Sequence, residues 1–237
     1  MATTTRTPAD QKGEKKRFSQ KLDDFLRANR TLLIVVLAVL VAAVAFLAIF
    51  SSVRSAQINA STLKIEQLST DFSSWAYNED ATKKAEAGKT LAADLETVTK
   101  KWPGQFASAR AYELLARMAE EGKDWATAEK DWMAIYENFP KTYLAPIALQ
   151  NAAVAAEERG AADAAIAHYQ AVVDKYTGKT VGIPHALFSI GRLAESSKDY
   201  AAAVASYEKL LSLYADDDWT KLAKDRIIFL KAQGLSK

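Results

Sequence analysis

DWATAEKDWMAIYENFP, residues 124–140, returns twice in altered form, as AADAAIAHYQAVVDKYT (161–177) and DYAAAVASYEKLLSLYA (199–215). Each segment carries a small residue, an aromatic four positions on and a branched aliphatic three after that: Ala128, Trp132, Ile135; Ala165, Tyr169, Val172; Ala203, Tyr207, Leu210. Offsets of 4 and 3 place all three on one side of a helix. The recurrence distance is 37 and then 38 residues. A second helical stretch precedes each segment, ending near Gly122, Gly160 or Ser197. Self-similarity at this period marks stacked units, none of which buries its apolar side alone. The region is poor in Gly and Pro and rich in Ala, Leu, Glu and Lys, so it reads as all-α.

The pattern resembles the tetratricopeptide repeat, a helix–turn–helix unit of about 34 residues. The signature positions fall on Tyr112, Leu115, Ala116, Ala119, Ala128, Trp132, Ile135 and Pro140 in the first unit. They fall on Leu149, Ala152, Ala153, Ala156, Ala165, Tyr169, Val172 and Thr177 in the second, and on Leu187, Ile190, Gly191, Ala194, Ala203, Tyr207, Leu210 and Ala215 in the third. These units run three or four residues longer than is usual, which predicts extended connections, most visibly at TGKTVGIP. The resemblance implies a right-handed helical solenoid. Pro146 and Pro184 stand where they can open the next helix in its first turn.

Working upstream by one period reaches Leu91, Leu95, Val98 and Pro103, with Trp75 matching Tyr112, so a degenerate unit covers about 72–103. Before it, Ile58, Ile65, Leu68, Phe72 and Trp75 form a seam with coiled-coil spacing, available either to the chain's own repeats or to self-association through the 58–75 helix. Downstream, DDDWTKLAKDRIIFLKAQG has an expected N-cap at Asp218 and a stripe of Trp219, Leu222, Ile227, Phe229 and Leu230. An open stack needs such a polar-faced helix to cover its last core layer.

The opposite end is of another kind. LLIVVLAVLVAAVAFLAIF, residues 32–50, contains no polar or charged side chain, no Gly and no Pro. At about 1.5 Å per residue it spans roughly 28 Å as a helix, the thickness of a bilayer's hydrocarbon core. The 31-residue lead and the length of the apolar block read as an uncleaved anchor in the lipid bilayer, not a signal peptide. The lead has eight basic residues against four acidic, whereas everything after Phe50 is net −2. Basic flanks stay cytoplasmic. The sequence thus places the N-terminus in the cytoplasm and the repeats across the membrane, in the periplasm of a Gram-negative cell. The expected division is a disordered basic tail (1–17), a juxtamembrane amphipathic segment around Phe18, Leu22, Phe25 and Leu26 (18–30), and the transmembrane helix (31–51). A connector helix with the degenerate repeat (52–103), three repeats (104–216) and a capping helix (217–237) follow.

Composition removes many functions. The chain has no Cys and 2 His in 237 residues, excluding thiolate or multi-histidine metal sites, disulfides and Cys nucleophiles. A net charge of +2 gives no case for nucleic acid. GKT at 178–180 lacks the Gly a phosphate loop needs, Val173 standing in its place. His168 and His185 lack evident supporting partners, Asp216–Asp218 lacks calcium-loop spacing, and the neighbouring pairs Glu120-Glu121 and Glu157-Glu158 point apart and read as a solvated face. No cofactor, metal ligand or catalytic residue is expected, and no enzyme.

What remains is a surface for proteins. First helices line the concave side of such a stack, where extended peptides and partner helices dock. By repeat register that face carries Arg110, Glu113, Arg117, Gln150, Asn151, Val154, His185, Phe188 and Arg192. Glu113 and Arg117 occupy positions where the carboxylate-clamp subclass has Lys and Asn, which disfavours that subclass. The layout resembles the YfgM-like family of bacterial inner-membrane proteins. That resemblance implies association with translocon subunits, periplasmic chaperones or exported clients, as an adaptor or holdase. A structural scaffold for envelope or division assemblies and an organelle protein-import receptor are the alternatives.

Overall fold

A computed structural model describes residues 20–236, which contain helices and connecting turns but no strand. The expected tail at 1–17 and Phe18 lie outside the described residues. The chain separates into two compact units, Met1–Gln57 and Ile58–Lys237.

In the first unit residues 20–28 are helical, with Leu22, Phe25 and Leu26 exposed. Helix α1 (Arg30–Ala76) begins after Asn29 and is long and apolar enough to cross a membrane. No side chain of its 32–50 stretch is buried by protein. A core helix of a soluble domain would have packed those side chains away; this one offers them to its surroundings.

The second unit is a succession of helix pairs. After the end of α1 come α2 (Ala81–Lys101), α3 (Phe106–Glu121), α4 (Trp125–Asn138), α5 (Leu144–Glu158), α6 (Ala162–Tyr176), α7 (Ile183–Ser196), α8 (Tyr200–Leu213) and α9 (Asp218–Ala232). From α2 onward each helix packs on the next, and α3 also touches α5 and α7 touches α9. The repeated triads form the floor of the core: Ala128, Ile135, Ala165, Val172, Ala203, Tyr207 and Leu210 have no measurable exposure, and Trp132 and Tyr169 almost none. At Gly191 a side chain would overlap the Tyr207 ring, its Cβ falling 2.4 Å from Cε1. Glycine there lets α7 and α8 approach closely.

Turns repeat as faithfully as helices. Within each pair the chain reverses through one left-handed residue, Lys123, Gly160 and Lys198 at φ 56°, 80° and 64°, each one period from the next. The following amide reaches back across the helix end, from Asp124 to Ala119 O, Ala161 to Ala156 O and Asp199 to Ala194 O at 2.8–2.9 Å, closing the helix in the same way three times. Gly122 is an ordinary right-handed residue, so the reversal lies one position later than a glycine-based reading places it. Asp124 and Asp199 then cap the next helix, accepting from the Thr127 and Ala202 amides.

Between pairs the recurring device is an aromatic residue at the helix end: Trp102, Phe139, Tyr176 and Tyr214. Trp102, Phe139 and Tyr214 share one backbone conformation, with φ between −127° and −139° and ψ near 50°. A hydroxyl closes each of these ends, Ser108 donating to Trp102 O at 2.6 Å, Thr142 to Phe139 O at 2.8 Å and Thr220 to Tyr214 O at 2.6 Å. Tyr176 stays inside its helix, and the connection that follows, 177–182, leaves Val181 97% exposed.

The seam at the end of α1 is turned inward. Ile65, Leu68 and Phe72 are buried in one cluster with Leu91, Leu95, Val98, Ala107 and Leu114, while Ile58 stays exposed. Trp75 fixes the hairpin to α2 by donating from Nε1 to Lys84 O at 3.0 Å.

At the far end, α9 is capped by Asp217, whose carboxylate accepts from the Trp219 amide, not by Asp218, which sits inside the first turn and pairs with Lys221. Its inward side is Thr220, Ala223, Ile227 and Leu230; Leu222 and Phe229, expected to pack, are nearly half exposed, as is Ile228 more fully. Ile227 and Leu230 pack as expected, whereas Leu222 and Phe229 each stand one residue before an inward position, about 100° round the helix from it.

Candidate functional site

Residues four, seven or eight, eleven and fourteen or fifteen positions along a helix lie on one stripe. On α3 that stripe is Phe106, Arg110, Glu113, Arg117 and Glu120; on α5 and just before it, it is Tyr143, Ile147, Asn151, Val154 and Glu158. The two stripes meet in a cleft of about 470 Å³ lined by Glu113, Arg117, Glu120, Trp125, Trp132, Ile147, Asn151, Val154 and Glu158. A second cleft, about 390 Å³, lies between α7 and α9, lined by Phe188, Arg192, Glu195, Ser196, Tyr207 and Arg226.

The residues proposed from sequence fall into three groups. Glu113, Arg117, Asn151 and Val154 line the first cleft and Phe188 and Arg192 the second. Arg110 does not line either; it donates to Glu113 at 2.5 Å along its own helix. Gln150 bonds His185 across the α5–α7 joint, its amide donating to Nδ1 at 2.9 Å. Arg117 lays its guanidinium 5.1 Å above the Phe72 ring, and Arg192 donates to Glu157 at 2.6 Å. Phe188 stacks between Tyr207 and Trp219, with centroids 5.6 and 5.2 Å away.

Of the glutamates expected to be a solvated face, Glu121 and Glu158 are exposed, but Glu120 and Glu157 are partly buried and bonded across helices, Glu157 by Arg192. Glu120 accepts from Trp132 Nε1 at 2.7 Å, and its counterpart Glu195 accepts from Tyr207 OH at 3.1 Å and from Arg226. Burial first, then the charge of Glu195, pushes the Tyr207 hydroxyl well above its ordinary range, so it stays a donor. The histidines have partners as well. His168 meets Glu129 at 3.0 Å beside Arg159; burial pushes the Glu129 carboxyl up, but the hydrogen bonds from Arg159 and His168 outweigh it and hold the group below its ordinary range. His185 packs edge-on to Trp219, and burial, with Arg192, lowers its pKa. Because its Nδ1 accepts from Gln150, its Nε2 carries the proton and points at Ser189, 3.5 Å off, the reverse of what activates a serine. Among the described residues no three His, Asp or Glu side chains converge as metal ligands.

Glu120, Trp125, Trp132, Ile147 and Glu158 were not anticipated as lining. Ile147 had a signal, since it stands one period after Arg110 and one before His185. The two tryptophans reach the cleft from α4, which a reading confined to first helices passes over.

Residues 148–178 and 185–217 match the tetratricopeptide repeat family model. Over 133 residues the chain is 31% identical to a TPR repeat-containing protein of Treponema pallidum (strain Nichols). That alignment takes in 56% of this chain and 55% of the relative, so the chain spans about half of that relative's length. The two matched windows coincide with the α5–α6 and α7–α8 pairs, and α3–α4 repeats their turns and core positions one period upstream. Tetratricopeptide repeats are present, and they are a framework for binding other proteins.

Proposed function

We propose that the chain is a membrane-anchored adaptor or holdase, fixed in the bilayer by the 32–50 stretch of α1, that holds segments of other proteins on the face formed by α3, α5 and α7. The observation that carries this reading is the open pair of clefts on that face, each with an aromatic floor and charged rim. The uncovered apolar surface of α1 supports the anchor, and the excess of basic residues in the lead supports a cytoplasmic N-terminus with the repeats in the periplasm. A layout similar to YfgM-like proteins extends the proposal to exported clients, translocon subunits or periplasmic chaperones as partners. Burial of Ile65, Leu68 and Phe72 inside the chain weighs against a scaffold that oligomerises through that seam.

Photo-crosslinking in vivo from Asn151 and Val154, with Asp163 on α6 as a control position, tests this. Crosslinks to exported proteins or translocon subunits from the cleft alone are expected; adducts equally abundant from Asp163, or degradation of the repeats by protease added outside intact cytoplasmic organelles, would overturn it.

A further inference from the structure

The two clefts differ in charge balance. The α7–α9 cleft sets Arg192 and Arg226 against Glu195, with Glu157 bonded to Arg192 from the side. The α3–α5 cleft sets three carboxylates, Glu113, Glu120 and Glu158, against Arg117 alone. Glu113 is engaged by Arg110, and Arg117 is drawn over the Phe72 ring. Glu120 is held by Trp132 through a neutral N–H, which fixes the carboxylate in position without cancelling its charge. Glu158 stands exposed at the rim.

Beside these acids lies apolar surface that none of the described residues covers. Ile147 is 45% exposed, and the stripe continues to Tyr143, 65% exposed, whose ring tilts against Phe106 at 5.8 Å. Along α5 the lining therefore runs from aromatic and aliphatic at the start to acidic at the end.

We propose that the α3–α5 cleft binds a cationic peptide segment with apolar neighbours: a Lys or Arg side chain against Glu120 and Glu158, and an aliphatic side chain against Ile147 and Val154. This deepens the adaptor reading and rests on it. Acidic segments and free carboxyl termini meet like charge here, so charge complementarity selects among extended peptides as well as attracting them.

The test uses the full chain in zwitterionic nanodiscs, with empty discs subtracted, and fluorescein-labelled nonapeptides of three Ser-Leu-Lys, Ser-Leu-Gln or Ser-Leu-Glu repeats, read by anisotropy. The lysine peptide is expected to bind about tenfold tighter than the glutamate peptide, with glutamine between. Glu158→Lys should shrink that preference to less than threefold. Asp163→Lys, the same change in net charge on α6 outside the cleft, should leave it intact. Equal binding of all three peptides, or equal erosion by both substitutions, overturns the charge assignment while leaving the groove as a binding face. Binding of none of them overturns the groove reading as well.

Discussion

Gly191→Ala probes a close contact between α7 and α8. The added Cβ would stand 2.4, 2.7 and 2.8 Å from three atoms of the Tyr207 ring, where relaxed carbon contacts lie at about 3.5–4.0 Å. The ring is held from several sides. Tyr207 is fully buried, its hydroxyl is tied to Glu195 and Phe188 covers one side. Relief therefore has to come from parting α7 and α8, and overpacking of this kind costs about 1–3 kcal/mol. An overlap of more than 1 Å belongs at the upper end. Against it stands the better helix propensity of alanine, about 1 kcal/mol. The net expectation is destabilisation by about 1–2 kcal/mol, a fall in Tm of roughly 3–6 °C for a domain of this size. Thermal unfolding of the full chain in mild detergent, followed by circular dichroism at 222 nm, measures it. Gly122→Ala is the matched control, because a Cβ there meets nothing nearer than 3.6 Å. In a Tyr207→Leu background the cost of Gly191→Ala should largely vanish. A Gly191→Ala protein as stable as wild type, or a cost that persists without the ring, refutes the close-approach argument.

Burial raises the Asp131 carboxyl to about 6, Glu96 and Asp124 adding to it against Lys130. A folded pKa above the ordinary 3.8 means that folding favours the protonated form, so stability falls as pH rises from about 4 to 6 and stays lower above that range. The full difference corresponds to about 3 kcal/mol at neutral pH; partial solvent contact reduces it, and Asp131→Asn should stabilise by about 1–2 kcal/mol at pH 7.5 and by almost nothing at pH 3.5, as thermal melts at the two pH values would show. Lys198→Gly removes a side chain from a left-handed residue and should raise stability by about 0.5–1 kcal/mol; an unchanged or lower Tm would contradict the turn geometry. Ser108→Ala takes away the buried hydroxyl that serves the Trp102 and Val98 carbonyls and should cost about 1–2 kcal/mol in the same melts. Trp132→Phe keeps most of the packing but strips the N–H from Glu120, so a loss of about 1 kcal/mol is expected, together with weaker binding of lysine peptides as Glu120 loses its anchor.

The repeat was legible because it is written in side-chain size at a fixed interval. Trp132 and Ile135 differ from Tyr207 and Leu210 in identity but not in spacing, and spacing is what helix geometry converts into a buried face. Interactions that cross from one helix to another do not follow that interval. Glu129 with Arg159 and His168, or Glu195 with Arg226, are joined over 30 to 39 residues by the way units stack, and no local pattern announces them. Glu120 and Glu157 were misread for this reason: one turn of helix shows them as a charged end, whereas their partners arrive from other elements. Asp217 and Asp218 illustrate a different loss. Three successive aspartates are equally good caps in sequence, and only the backbone leading into α9 chooses among them. Ile147 was available to arithmetic, one period from both Arg110 and His185.

The aromatic helix ends have a consequence for how such a chain changes length. Trp102 and Phe139 adopt the same backbone angles, each is followed by proline, and each carbonyl is met by a hydroxyl. Removing 103–139 would join Trp102 to Pro140 and recreate the junction that was cut. Duplication across the same points would do so again. These ends behave as standard couplings, so a whole unit can be gained or lost in one genetic step without redesigning the joint. The odd coupling at Tyr176, with its longer 177–182 connection, marks where such an exchange would not fit.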